Sequence, residues 1–393
     1  MFSSSARPWA DRLPDRPAAP GRRARQPASR LGEAERLRGR RAPGSRFRCH
    51  ASFDPARPRR APGASPAEVS PRDPPLAFSM TAEGVGAAGR DGGSPAELFC
   101  YDPEELVLRG VEWPRSGAGA PRSPAWSRFD RALREGWDDR LRRGLFRYRL
   151  GELQTRVLPG RLGLVAQLNV QRATERRRPQ EARSVRQRFD PRQFNFGQIR
   201  REEVLFCLCR GCPALTSSPR ALVAINVSPL EQGHVLLIPD PALALPQILT
   251  PEALLVGLDA VLLSTHPGFR LGFNSLGAFA SVNHLHLHCF YLDWELSVES
   301  APCEALLPEA GLYLLREAPA PAFLFYCDHG RQLEPLAHRI CRVACHLSQR
   351  EIAHNLFATR GATPEGPLGS RARPGVRVIL WVRKACFGIR RPH

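Results

Sequence analysis

Three histidines alternate with leucines in one short segment, His284-Leu285-His286-Leu287-His288. In a β-strand, residues two positions apart share a face and lie roughly 7 Å apart. The three imidazoles are therefore predicted to point to the same side, while Leu285 and Leu287 point to the core. Strict alternation of this kind indicates that the imidazoles have a chemical role.

Three interpretations of this row remain open from the residues alone. The histidines could be exposed or hydrogen-bonded structural residues. They could bind zinc or copper, although no carboxylate or thiolate ligand stands at a convincing spacing apart from the adjacent Cys289. Finally, His286 could attack phosphorus while its neighbours orient it. That role needs a polar turn for phosphate groups, and the segment Asn274–Ser281 directly precedes the row.

A neutral imidazole suits this nucleophilic role, because its unperturbed pKa of about 6.5 leaves it largely unprotonated near neutral pH. Its other ring nitrogen then needs a hydrogen-bond acceptor that fixes the tautomer, and a backbone carbonyl would serve. Positioning and hydrogen-bond donors can stabilise the transition state without a metal.

The elements around this row are predicted from hydrophobic spacing and turn residues. Thr250 and Pro251 have the residue types of a helix start, so a helix is predicted to about Ser264. Further on, an amphipathic helix is predicted between Leu333 and Leu347. The spacing of the remaining apolar residues predicts a helix face at 129–141 and strands at 162–170, 203–209, 221–227, 234–238, 270–274, 282–292, 352–359 and 376–382.

These elements predict an α+β fold, in which helices pack on an antiparallel sheet. A Pro-rich stretch at 318–322 divides the folded sequence. Three parts are therefore expected: a disordered Pro/Arg/Ala-rich extension at 1–95, a catalytic part at 96–317 and a second part at 318–393.

The formal net charge of +19 suggests an anionic partner. However, Lys384 is the only lysine, and residues 1–95 alone contain 18 Arg against 9 acidic residues, which points to a compositional bias. No basic motif interleaved with aromatic residues is present, so nucleic-acid binding is not predicted as the main function. Apolar runs such as 253–263 are too short for a membrane span, and we expect a cytoplasmic protein with reduced thiols.

Several segments of the chain together indicate a family resemblance. Ser228-Pro229, the segment Gly233–Pro239, Asn274, Ser281 and the His-x-His-x-His row resemble the histidine-triad superfamily. Within it, the chain is similar to the GDP-D-glucose phosphorylases, relatives of plant GDP-L-galactose phosphorylase, from about residue 97 to 389. The closer match is carried by residues 144–150, 194–196, 272–277, 281–288, 354–361 and 376–381.

The resemblance implies a reaction and a site. His286 would receive GMP from GDP-glucose and release glucose 1-phosphate, and inorganic phosphate would then take the GMP to give GDP. The resemblance implies no cofactor and no metal; superfamily members are often dimers, so a homodimer is compatible with it. It implies that nucleotide and phosphate groups are bound by Asn274, Ser281, His288, His284 and His234.

Two other functions stay open at this stage. The same site could hydrolyse nucleotide conjugates with water as the acceptor, or it could be a non-catalytic module that binds a nucleotide or RNA. The second part is expected to be a degenerate half-repeat of a histidine-triad-like fold, since its strand pair at 352–382 echoes the one at 221–238. The resemblance also implies helical sequence beyond 382, so that part is expected to be truncated.

Overall fold

The computed structural model describes residues 96–113, 126–151, 153–160, 162–211, 220–366 and 374–387. These residues belong to one compact unit. The predicted extension at 1–95 lies outside them. Helices and strands combine in a mixed α+β fold with one large sheet, as the sequence predicts, and no helix in the described ranges is long and apolar enough to cross a membrane.

The large sheet has eleven strands in the order β1-β4-β5-β6-β8-β7-β12-β13-β11-β10-β9. All of its neighbouring strands run antiparallel except the edge pair β1–β4, which is parallel and was not predicted. A separate hairpin is formed by β2 and β3. The strands are β1 Leu98–Tyr101, β2 Gln154–Val157, β3 Val165–Leu168, β4 Val204–Arg210, β5 Arg220–Ile225, β6 Val235–Pro239, β7 Phe269–Asn274, β8 Leu287–Tyr291, β9 Glu304–Leu307, β10 Leu312–Leu315, β11 Ala322–Cys327, β12 Ala353–Gly361 and β13 Gly375–Arg383.

Three of the helices pack with one face of this sheet in a continuous apolar core. Helix α3 has buried residues all along its length, as expected for a helix surrounded by other elements. The opposite face of the sheet, which we call the cavity face, carries two smaller apolar clusters. The helices are α1 Arg128–Arg142, α2 Val170–Glu175, α3 Pro251–Leu263 and α4 Leu333–Gln349, and α2 lies outside that core.

The order of strands repeats itself. The first group runs β4, β5, β6, α3, β7, β8 along the chain and is ordered β4-β5-β6-β8-β7 in the sheet. The second group runs β9, β10, β11, α4, β12, β13 and is ordered β9-β10-β11-β13-β12. The two groups meet where β7 pairs with β12, so each mirrors the connectivity of the other across this junction.

The predicted start of helix α3 and several predicted helices and strands are confirmed. The Thr250 side chain accepts a hydrogen bond from the Ala253 amide, and Pro251 occupies the first position of α3. Satisfying a free amide in this way stabilises a helix by about 1 kcal/mol. The predicted helix at 333–347 and the strand pair near 352–359 and 376–382 correspond to α4, β12 and β13.

The predicted strand at 282–292 is wrong in its first half, because β8 begins only at Leu287. The Asn283 side chain explains this departure. It accepts a hydrogen bond from the Gln247 amide at 3.0 Å and donates to the carbonyls of Gln187 and Arg188 at 3.1 and 2.8 Å. These contacts to other segments hold the chain out of the ladder, so the histidine row enters the sheet only at its end.

Candidate functional site

One row of side chains crosses the cavity face and forms the floor of a cleft. The register aligns Ala224 with Leu236, Leu236 with His288, His288 with Gly272 and Gly272 with Phe357. Residues paired in this way share a face of the sheet. His288 therefore stands between an apolar stretch of floor and a glycine that leaves space beside it.

His286 lies directly before β8 and lines the same cleft. Its Nδ1 is 2.8 Å from the backbone carbonyl oxygen of His284. A carbonyl only accepts hydrogen bonds, so Nδ1 carries the proton in the neutral ring and Nε2 keeps a free lone pair. The sequence prediction that a backbone carbonyl fixes this tautomer is thus matched by the geometry.

His288 and His234 form a second chain of defined tautomers. The Leu230 amide donates to His234 Nδ1 at 2.8 Å, so the proton of this ring is on Nε2. His234 Nε2 lies 3.0 Å from His288 Nδ1 and 3.2 Å from Asn226 Nδ2. Because the Leu230 amide already donates to Nδ1, His234 Nε2 donates to His288 Nδ1, and the His288 proton is then on its own Nε2. His288 lines the cleft, whereas His234 is behind it. Next to the lone pair of His286 the site therefore has a neutral N–H donor.

The imidazoles of His234, His284 and His286 are buried and that of His288 is partly buried, and burial is the main cause of their altered proton affinity. It lowers the pKa of His286 to about 4 and that of His284 to about 4. Burial also holds the pKa of His234 and of His288 well below the ordinary value. The four rings are therefore uncharged near neutral pH, and His286 Nε2 keeps its lone pair in mildly acidic solution.

His284 does not share the cleft with the other two. Its Nδ1 accepts a hydrogen bond from the Phe196 amide at 3.0 Å, and its ring packs against Phe189 and Phe196. The ring centroids of His286 and His288 are 5.0 Å apart, closer than the spacing predicted for a regular strand. The prediction that Leu285 and Leu287 face the core is confirmed.

Asn274 and Ser281, for which the resemblance implies contacts to the nucleotide, line the cleft together with His286. Asn274 ends β7, and its Oδ1 accepts a hydrogen bond from Asn355 Nδ2 at 2.5 Å. In the turn between Asn274 and Ser281, Phe279 has a φ of 77°, a backbone conformation that residues other than glycine rarely adopt. Asn355 Nδ2 also donates to the Ala278 carbonyl at 2.8 Å and so fixes this turn.

Gln247 is a buried residue that holds the backbone of the site, and it was not predicted from the sequence. Its Oε1 accepts from the His286 amide at 3.0 Å, and its Nε2 donates to the carbonyls of His286 and Asn274 at 3.1 and 2.9 Å. One side chain thus ties the backbone of His286 to the end of β7. A single glutamine in a loop carries no periodic signal, so no spacing along the chain distinguishes it.

The cleft opens into a cavity of about 520 Å³. Besides His286, its lining includes basic side chains and many apolar side chains. Within the described residues, no group of three or more His, Cys, Asp or Glu residues is arranged to hold a metal ion. The lining residues used below are Arg177, Phe194, Phe196, Ile199, Glu203, Ala224, Leu236, Leu296 and Val298.

A buried ion pair holds one wall of this cavity. Arg270 Nη2 and Glu299 Oε1 are 2.6 Å apart and both side chains are buried. Glu299 also accepts hydrogen bonds from Thr359 Oγ1 at 3.1 Å and from Trp113 Nε1 at 3.2 Å. These contacts fix the segment that carries Leu296 and Val298 against the sheet.

Comparison with known proteins gives a consistent set of relatives. A family described as "GDPGP1-like, N-terminal domain" matches residues 128–290. The GDP-D-glucose phosphorylase 1 of Bos taurus is 57% identical over 295 residues, which cover 74% of this chain and 77% of the relative. The GDP-L-galactose phosphorylase 1 of Arabidopsis thaliana is 37% identical over 236 residues, or 56% of this chain and 53% of the relative. The crystal structure of yeast Ap4A phosphorylase Apa2 is 13% identical, covers 66% of this chain and 82% of its own, and has a TM-score of 0.42.

Proposed function

Because the chain belongs to the GDP-D-glucose phosphorylase family, we propose that it transfers GMP from GDP-D-glucose to inorganic phosphate. The products are GDP and D-glucose 1-phosphate. The observation that carries the mechanism is the hydrogen bond from His286 Nδ1 to a backbone carbonyl, since it leaves Nε2 unprotonated in the cleft.

In the first step, His286 Nε2 attacks the α-phosphorus of GDP-glucose. A P–N bond forms, and the bond from this phosphorus to the oxygen bridging the two phosphates breaks. Glucose 1-phosphate leaves with that electron pair. Because a phosphate oxygen is a better leaving group than a sugar alkoxide, the step needs no strong general acid.

The neighbours of His286 stabilise the charge that develops on the transferred group. His288 Nε2–H donates to a non-bridging oxygen, and His234 fixes the tautomer that makes this donation possible. Asn274 and Ser281 supply further polar contacts beside the α-phosphate. His284 contributes through its carbonyl, which orients the nucleophile, rather than through its ring.

In the second step, an oxygen of inorganic phosphate attacks the same phosphorus and the P–N bond breaks. GDP leaves, and His286 regains its neutral state. Both half-reactions use one cleft, so the kinetics are of the ping-pong type.

The repeated strand order supports a further proposal about the fold. We interpret β4–β8 and β9–β13 as two histidine-triad-like half-repeats, of which the second has lost the histidine row. The half-repeat boundary then falls between 303 and 304, earlier than the 317/318 boundary suggested by the Pro-rich stretch. In this arrangement β12 and β13 correspond to β7 and β8, rather than to the hairpin at 221–238.

The test is product analysis with the purified chain, GDP-glucose and a phosphate-free control. We expect GDP and glucose 1-phosphate only with phosphate, and a stoichiometric, acid-labile guanylyl adduct without it. His286→Asn is expected to lower turnover by roughly 10³-fold or more, while His338→Asn, at an exposed position of α4, leaves it unchanged. GMP as the product would indicate hydrolysis, and nucleotide binding without turnover would indicate a non-catalytic module.

A further inference from the structure

The part of the cavity beyond Leu236 is almost entirely apolar. Its floor is Ala224 and Leu236, and Phe194, Phe196 and Ile199 form its walls. The ring centroid of Phe196 is 4.9 Å from that of His286, so this apolar end begins directly beside the nucleophile. We call these five residues the apolar pocket; its flat aromatic walls suit a nucleobase.

One carboxylate breaks this apolar lining. Glu203 is the only acidic residue among the described residues that line the cavity. It ends a short 3₁₀ turn, Arg201–Glu203, that leads into β4. Its side chain is 13% exposed, and its Oε1 accepts a hydrogen bond from Arg200 Nε at 2.9 Å. No hydrogen bond to Oε2 is formed within the described part of the chain, so this oxygen can accept one from a ligand.

The distance from Glu203 to the nucleophile fits a nucleotide that lies across the strands. Val204 pairs with Ala224, Ala224 with Leu236, and Leu236 with His288. With neighbouring strands about 4.8 Å apart, the start of β4 lies roughly 14 Å from His288. In this arrangement the phosphate lies beside His286 and His288, the ribose lies over Leu236 and the base occupies the apolar pocket. The far edge of the base then reaches Glu203.

On the basis of the proposed function, we propose that Glu203 selects guanine by accepting hydrogen bonds from the N1–H and the 2-amino group of this base. An ionised carboxylate only accepts hydrogen bonds, and guanine presents two neighbouring donors on this edge. Adenine presents an unprotonated N1 there, which would face the carboxylate without a hydrogen. The Arg177 guanidinium, 3.4 Å from the ring centroid of Phe194, gives a planar surface on which the purine can stack.

The experiment compares Glu203→Gln with Glu202→Gln, a matched change at an exposed position of the same turn. Initial rates are measured with GDP-glucose, ADP-glucose and IDP-glucose, whose base keeps N1–H but lacks the 2-amino group. We expect Glu203→Gln to lower kcat/KM for GDP-glucose by about 100-fold and to change that for ADP-glucose by less than about threefold. IDP-glucose is expected to lie between the two in the wild type, and Glu202→Gln to match the wild type.

Calorimetric binding of GDP and ADP to the same variants provides a readout that needs no turnover. A wild type that binds GDP in preference to ADP, but converts neither sugar nucleotide, would contradict the proposed function and leave guanine selection supported. A Glu203→Gln variant that keeps the wild-type ratio of GDP to ADP affinity would overturn guanine selection. Arg200→Gln keeps the carboxylate and is expected to retain the preference, which separates base recognition from loss of the ion pair.

Discussion

At the scale of single residues, the proposed nucleophile is oriented by uncharged groups. His286 is oriented by a backbone carbonyl through its ring and by Gln247 through its backbone. A carboxylate partner would raise the proton affinity of the imidazole, whereas burial without a charge lowers it. The site therefore favours the free base of His286, which is the form that the proposed mechanism requires.

This arrangement predicts the pH dependence of the first step. Because burial lowers the pKa of His286 to about 4, guanylyl transfer to the protein should persist at pH 5, where an ordinary imidazole is mostly protonated. Adduct formation from GDP-glucose is measured by rapid quench in the absence of phosphate, so that titration of the acceptor does not contribute. An acid limb with a midpoint near 6.5 would contradict the prediction.

The same shifts affect folding stability with a defined sign. The pKa values of His284 and His286 are lower in the folded state, so the unfolded chain binds more protons between about pH 6.5 and 4. The free energy of unfolding that these groups contribute is complete above pH 6.5 and is lost as the pH falls through this window. The loss approaches about 1.4 kcal/mol per pH unit for each histidine.

The sequence predicted part of this site at residue level. His286 was selected from the His-Leu alternation, and His288, Asn274 and Ser281 were implied by the family resemblance; the structure brings all four to one cleft. Gln247 and Glu203 form no pattern along the chain. Their positions depend on how distant segments fold against β8 and β4, which no local spacing encodes.

At the scale of elements, hydrophobic spacing and turn residues allowed most strands and helices to be predicted, but not where the histidine row enters the sheet. Alternation of His and Leu predicts a strand from 282 onward, whereas the hydrogen bonds of Asn283 to three other segments hold residues 282–286 in an irregular conformation. Tertiary contacts thus override local pattern here. The result brings the His286 ring nearer to the His288 ring and places the His284 ring outside the cleft.

The wall of the cavity depends on a buried charge pair, and this gives a stability prediction. Glu299→Gln keeps the shape of the side chain but leaves the buried Arg270 guanidinium without its counter-charge. Removing one partner of such a pair costs about 3–5 kcal/mol of unfolding free energy. Urea denaturation measures this loss, and KM for GDP-glucose should rise as the segment with Leu296 and Val298 loosens.

The matched control is the exposed ion pair between Arg316 and Glu304, at the far edge of the sheet. Glu304→Gln should change the unfolding free energy by less than about 1 kcal/mol, since solvent screens this pair. Equal losses for the two variants would show that burial of Arg270 and Glu299 has no particular effect on stability.

At the scale of the whole molecule, the sequence predicted the α+β class but not the order of strands. The two groups of strands join through β7 and β12, which lie about eighty residues apart in the chain. Neither strand carries a residue type that identifies its partner, since the residues paired on the helix side, Leu271 with Ala358 and Phe273 with Leu356, are all apolar. The repeat is visible only in the order of strands in the sheet. It places the proposed boundary between the two half-repeats in the loop before β9.

The proposed boundary at 303/304 and the boundary expected from the Pro-rich stretch at 317/318 predict different behaviour for a chain expressed as two fragments. A cut between 303 and 304 leaves each set of five strands and its helix intact, whereas a cut between 317 and 318 separates β10 from β11, with which it pairs. Either fragment alone exposes the free edge of β7 or of β12 and part of the shared core, so neither should unfold cooperatively by itself.

Co-expressed fragments cut at 303/304 should therefore reassemble and form the guanylyl adduct at a rate within about tenfold of that of the intact chain, because one continuous core holds both halves together. Fragments cut at 317/318 should give less soluble complex and slower adduct formation. Size-exclusion chromatography and rapid-quench assays on both pairs measure this difference. Equal recovery from the two cuts, or an active first fragment alone, would contradict the division of the sheet into two interdependent half-repeats.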